Sequence, residues 1–118
     1  MRLEGLVEKG WGSEYIFATN DFYCGKLLNF NKGAKFSMHF HAVKDETWYV
    51  LSGKFVVKYM DTKTADTFEK ELNIGDIWRN LPLQVHQLVC LEQGTIIEVS
   101  TADSIEDNYR VQKGDNQK

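Results

Sequence analysis

The chain reads as an all-β protein, an antiparallel sandwich or barrel. Short segments rich in Val, Ile, Phe, Tyr and Trp recur along almost its whole length, with apolar and polar residues alternating at period two. Gly, Asn, Asp or Lys turns separate them. Eight or nine strands at this spacing suit a two-layered or closed antiparallel architecture rather than alternating strands and helices.

Taken in order, the pattern predicts strands near 14–18, 23–30, 35–40, 47–51, 54–60, 68–72, 76–79, 84–91 and 95–100. Asn31-Lys32-Gly33 turns the second strand into the third. Ser52-Gly53 is expected to close a hairpin, 61–66 to form a polar hairpin loop, and Glu92-Gln93-Gly94 another tight turn. The segment 104–107 reads as a helical turn, and 114–118 as a polar tail that frays.

With 118 residues, the chain is expected to be one domain, 1–118. A formal charge of −3 argues against a general nucleic-acid binder, which shows a basic face. No apolar run approaches the roughly 20 residues that cross a bilayer. The first residues lack a secretory apolar region, so the expected compartment is the cytoplasm. Cys24 and Cys90 are expected to be reduced, buried small hydrophobes. The charges at Lys63, Asp66, Glu69, Lys70 and Glu71 read as a solvated hairpin face.

The three histidines carry the chemistry: His39, His41 and His86. On a strand, residues i and i+2 share a face, so His39 and His41 aim at one point. Glu46 returns a carboxylate just beyond a turn, and His86 is the candidate fourth ligand from a distant strand. Three imidazoles and a carboxylate suit one divalent ion, Zn, Mn, Fe, Co or Ni. Ligation needs neutral imidazoles, so an ordinary histidine pKa near 6.5 predicts metal release toward about pH 5.

Gly33-x5-His39-x-His41-x4-Glu46-x6-Gly53 resembles the first cupin motif at every fixed position. The second motif is matched by Gly75 and His86. Leu81 stands at its usual proline, Leu83 at its usual glycine and Cys90 at its usual asparagine, with Pro82 displaced by one. The resemblance implies a double-stranded β-helix, the jelly-roll barrel, holding metal inside on His39, His41, Glu46 and His86. It also implies a homodimer, with Phe40, Tyr49 and Phe55 expected to face outward.

A narrower likeness is to the cupin domain of type II mannose-6-phosphate isomerases. It rests on Trp11-Gly12-Ser13-Glu14-Tyr15, on 32–37, on 46–53, on Ile97-Glu98-Val99 and on Glu106-Asp107-x-Tyr109-Arg110. His39 stands where that family usually has Gln, Gln87 where it has Arg, and Lys44 near another Arg. Arg offers phosphate a bidentate fork that Lys and Gln lack. The likeness implies a metal-dependent isomerase acting on a sugar or sugar phosphate. Glu98 is the candidate catalytic base; Lys26, Trp48, Arg79 and Arg110 are candidate substrate contacts, and Trp78 a further possible floor. The alternatives are an iron-dependent dioxygenase and a non-catalytic sugar- or metal-binding cupin.

Overall fold

Two leaves of antiparallel sheet share their two longest strands in a computed structural model describing residues 3–61, 63–102, 104, 106–112 and 114. The strands are β1 (Gly5–Lys9), β2 (Gly12–Thr19), β3 (Tyr23–Phe30), β4 (Met38–Phe40), β5 (Glu46–Met60), β6 (Thr67–Leu72), β7 (Ile77–Asn80), β8 (His86–Thr101) and β9 (Tyr109–Gln112). The first leaf runs β1-β2-β3, the second half of β8, the first half of β5, then β7. The other runs β9-β4, the first half of β8, the second half of β5, then β6. This curled sheet is the jelly roll expected from the sequence.

Two expected reversals are corrected. Neither Ser52-Gly53 nor Glu92-Gln93-Gly94 turns the chain back; β5 and β8 run through them and cross together from one leaf to the other. The register slips at Val50/Ser52, Ser52/Lys54 and Lys54/Phe55. Those bulges change which side chains face inward: Trp48 and Val50 point in before the crossing, Phe55 and Val57 after it. Phe55 is therefore core, not outward-facing; Tyr49 does face out, and Phe40 stacks on Tyr109.

The expected strand 35–40 is regular only over Met38–Phe40, with Lys35 making an isolated bridge to Val89. β1 and β9 were not expected. The turn in 104–107 is present, Asp107 N donating to Ser104 O at 3.2 Å, although residue 105 lies outside the described residues. In the expected tail, Gly114 is buried, while 115–118 lie outside the described residues.

Leu28, Phe30, Val50 and Ile96 from one leaf meet Phe55, Val57, Leu72 and Leu88 from the other. Trp11 closes one side, stacked on Phe30 at 4.5 Å. Cys24 and Cys90 are both buried, as expected. This apolar block leaves the opposite end of the space between the leaves to polar side chains.

Candidate metal centre

β4 and β8 are antiparallel neighbours, and their register sets His39 opposite His86. His41 follows on the face that His39 occupies. One ring nitrogen from each of the three lies within 4.8 Å of the others. Glu46 enters from the start of β5. Its Oε1 is 3.1 Å from His86 Nε2 and 3.6 Å from His41 Nε2. Asn80 Nδ2 donates to the same oxygen at 3.5 Å. All four predicted ligands are thus brought together, and all are buried.

The outer nitrogen of each ring faces a backbone carbonyl. His39 Nδ1 lies 2.8 Å from Ser37 O, His41 Nδ1 2.5 Å from Asp107 O and His86 Nδ1 2.9 Å from Gln84 O. A carbonyl oxygen only accepts, so each Nδ1 carries a proton, and Nε2 is the ring nitrogen left to face the shared interior. His86 Nε2 is buried with no hydrogen bond of acceptable geometry, despite the nearby carboxylate. An orphaned nitrogen beside two others of the same kind fits a borderline divalent ion, and the Nδ1 carbonyls match the outer-shell support that metal-bound histidines use.

The electrostatics agree with that fit. Burial, reinforced by His86 and His41, pushes His39 down to about 3. His41 is also lowered, chiefly by burial; Glu46 opposes this and Lys44 adds to it. Burial works to raise Glu46, but Lys44, with Glu98 and His86 beside it, holds the carboxyl well below its ordinary range. The folded protein therefore favours neutral imidazoles at His39 and His41 and an anionic Glu46, the protonation states that ligation requires.

A cavity of about 260 Å³ opens beside these residues. Lys26, Glu98 and Trp48 are cross-strand neighbours whose side chains point into it. Glu98 Oε1 accepts from Trp48 Nε1 at 3.0 Å, and Oε2 accepts from Lys44 Nζ at 3.1 Å. Lys26 Nζ stands 4.0 Å from Oε2 and 3.6 Å from Glu14 Oε1. Burial first, then the charge of Glu46, raises Glu98 to about 7, with Lys44 and Lys26 working against them. Arg110 and Lys9 also line the cavity.

Arg79 is not brought to the cavity. It lies on the outside of β7 in a two-point pair with Asp45, Nε at 3.0 Å and Nη2 at 2.5 Å. Trp78 is also outside the lining, with its Nε1 donating to Asn80 Oδ1 at 2.7 Å. Sequence reasoning missed Lys44 and Asp107. Lys44 is buried between Glu46 and Glu98. Asp107 supplies the carbonyl under His41, while its carboxylate accepts from the amides of Ala42, Val43 and Lys44. The Glu-Asp sequence before Arg110 was visible, but nothing local showed which loop it would hold.

No protein-family model matches the sequence, and no curated protein is significantly similar to it. Solved structures are similar in fold. KdgF from Halomonas sp. is 21% identical, with 80% of this chain and 81% of that one covered, at a TM-score of 0.69. An RmlC-like cupin from Shewanella frigidimarina is 23% identical over 87% of each chain, at 0.72. Oxalate decarboxylase from Bacillus subtilis is 20% identical over 93% of this chain, at 0.73, but this chain matches only 29% of its length. These likenesses establish the cupin fold.

Proposed function

We propose that residues 1–118 form one cupin domain that holds a single divalent transition metal on His39, His41, His86 and Glu46, and that it isomerises a small sugar or sugar phosphate. The observation that carries the metal reading is the trio of buried imidazoles, each with Nδ1 on a carbonyl and Nε2 left to the shared interior. When bound, the metal supplies Lewis acidity to adjacent carbonyl and hydroxyl oxygens of a substrate. Glu98 is the general base, because a carboxyl raised to about 7 both takes and returns a proton near neutrality. It removes the proton from the hydroxyl-bearing carbon of an aldose and delivers it to the neighbouring carbonyl carbon, while the hydroxyl proton passes to the former carbonyl oxygen. Lys44 and Trp48 hold its two oxygens in place. Arg110 and Lys9 serve an anionic substituent reaching the cavity mouth.

Elemental analysis of purified wild type, His39→Ala and His86→Ala, followed by deuterium exchange into fructose 6-phosphate in D2O, tests both parts. The expected result is about one metal per wild-type chain, loss of metal in both variants, and exchange that Glu98→Gln abolishes while keeping the metal. Metal-loaded protein that exchanges no carbon-bound proton from any sugar phosphate overturns the isomerase. Iron-dependent oxygen consumption would replace it with an oxygenase. Equal metal content in all three proteins overturns the ligand set.

A further inference from the structure

Asn80 links the metal centre to an aromatic cluster at the margin of the two leaves. It ends β7 directly across from Glu46 at the start of β5, so the two side chains share a face. Asn80 is 1% exposed, and an amide at that depth needs partners. An indole N–H only donates, so Trp78 Nε1, at 2.7 Å, fixes which end of the amide is Oδ1. Nδ2 is thereby turned to Glu46 Oε1, 3.5 Å away. That oxygen is the one facing the histidines, 3.1 Å from His86 Nε2 and 3.6 Å from His41 Nε2. The other oxygen, Oε2, stands 3.7 Å from Lys44 Nζ. Each oxygen of Glu46 thus has its own donor, and the donor to Oε1 is an uncharged amide. Trp78 itself is held from the far side. Tyr59 of β5 packs on its ring at 5.0 Å, and Lys70 Nζ of β6 lies 6.0 Å over it. Tyr59 in turn stacks on Phe68 of β6 at 5.5 Å. Side chains from both leaves therefore fix the indole whose N–H reaches Asn80.

We infer that Asn80 and Trp78 are positioning residues for the metal centre: Trp78 sets the amide of Asn80, and the amide directs one oxygen of Glu46 toward the histidine trio. The inference rests on the metal reading above and is independent of the isomerase. Without the indole N–H, the amide is free to turn Oδ1 toward Glu46, acceptor against acceptor, which displaces the carboxylate. Without the amide, Oε1 loses its donor, and the indole has nothing left to act through. The two residues work in series, so their effects on the metal should not add.

Zinc competition against a chromophoric chelator, together with the visible spectrum of the cobalt(II)-loaded protein, tests this on wild type, Asn80→Leu, Trp78→Phe and the double variant of the full chain. Partners that orient metal ligands typically carry about 10–100-fold in affinity. Asn80→Leu, similar in size but without hydrogen bonds, is expected to weaken zinc at least about tenfold and to shift the cobalt bands. Trp78→Phe keeps a ring in place and leaves all four ligands and Asn80 intact. It is expected to weaken zinc about threefold or more, and the double variant to match Asn80→Leu within about twofold. Far-ultraviolet circular dichroism checks folding, and if Asn80→Leu fails to fold, Trp78→Phe decides alone. Folded variants with wild-type zinc affinity and cobalt spectrum overturn the inference. Losses that simply multiply in the double variant also overturn it, because Trp78 then acts by a route other than Asn80. Wild type that binds neither zinc nor cobalt overturns the metal reading itself, and this inference with it.

Discussion

Leu83 occupies a conformation that suits glycine. Its φ is +70°, and it follows Pro82 in a turn closed by Gln84 N on Leu81 O at 3.1 Å. Proline at the second position with positive φ at the third is the type II pattern, which favours Gly at the third. The turn is also tied to the metal centre, since Leu83 N donates to His41 O at 2.6 Å. The cupin motif that the sequence resembles has glycine at this position, the residue that a φ of this sign suits best. Leu83 is 58% exposed, so its removal forfeits little burial. Leu83→Gly should raise stability by about 1 kcal/mol, read from the urea midpoint at unchanged slope. A fall of that size would show that the leucine contributes packing that outweighs its strain. Asp107 presents the opposite case. Its carboxylate holds three successive amides of the loop between His41 and Glu46. Asp107→Ala should lower stability by roughly 1–2 kcal/mol and weaken zinc binding about tenfold or more, measured against a chromophoric chelator. Unchanged zinc affinity would mean that this loop does not orient His41.

Between elements, the crossing of β5 and β8 depends on Gly53 and Gly94, whose backbones meet there. Gly53 has φ +82°, and a Cβ on it would lie 2.6 Å from Glu92 O and 2.7 Å from Gly94 Cα. Those neighbours are backbone and have little room to retreat. Gly75 has a similar φ, +89°, but open space around it. Gly53→Ala should therefore cost at least about 2 kcal/mol, and Gly75→Ala only about 1, in paired urea titrations. Equal losses would remove the steric argument and leave only backbone conformation. The same crossing limits what could be read from the sequence. Strand segments on either side of it show plain alternation and were legible. Whether Ser52-Gly53 reverses the chain or bends it depends on a backbone 40 residues away, which no local pattern reveals. The His39–His41 pair was legible because two-residue spacing fixes a common face, and Glu46 and His86 follow from the motif. Asp107 was not, because it meets His41 through a carbonyl 66 residues distant. Lys44 looked like one more loop cation until burial placed it between two carboxylates.

At the scale of the whole molecule, the buried histidines couple folding to pH. As pH falls through about 6.5, the unfolded chain takes protons on His39 and His41. The folded protein resists: His39 remains neutral until near pH 3, and His41 is lowered too. Unfolding then takes up protons, so stability declines with acid, by about 1.4 kcal/mol per pH unit for each proton of difference. Glu98 acts in the other direction between its ordinary 4.5 and about 7, where the folded protein retains a proton that the unfolded chain has lost. It offsets one of the two histidines in that interval. Below 4.5 the offset disappears, and Glu46, held low when folded, adds its own proton uptake on unfolding. The metal-free protein should therefore lose stability gently from pH 6.5 to 4.5 and steeply from 4.5 toward 3, read as the urea midpoint at half-unit steps. Against the release near pH 5 that ordinary imidazoles predict, the lowered His39 and His41 predict that folded, zinc-loaded protein keeps its zinc below that pH until the fold itself gives way. A midpoint that rises between pH 4.5 and 3.5 would show that these imidazoles are not held neutral, and zinc leaving a still-folded protein at pH 5.5 would show the same by an independent route.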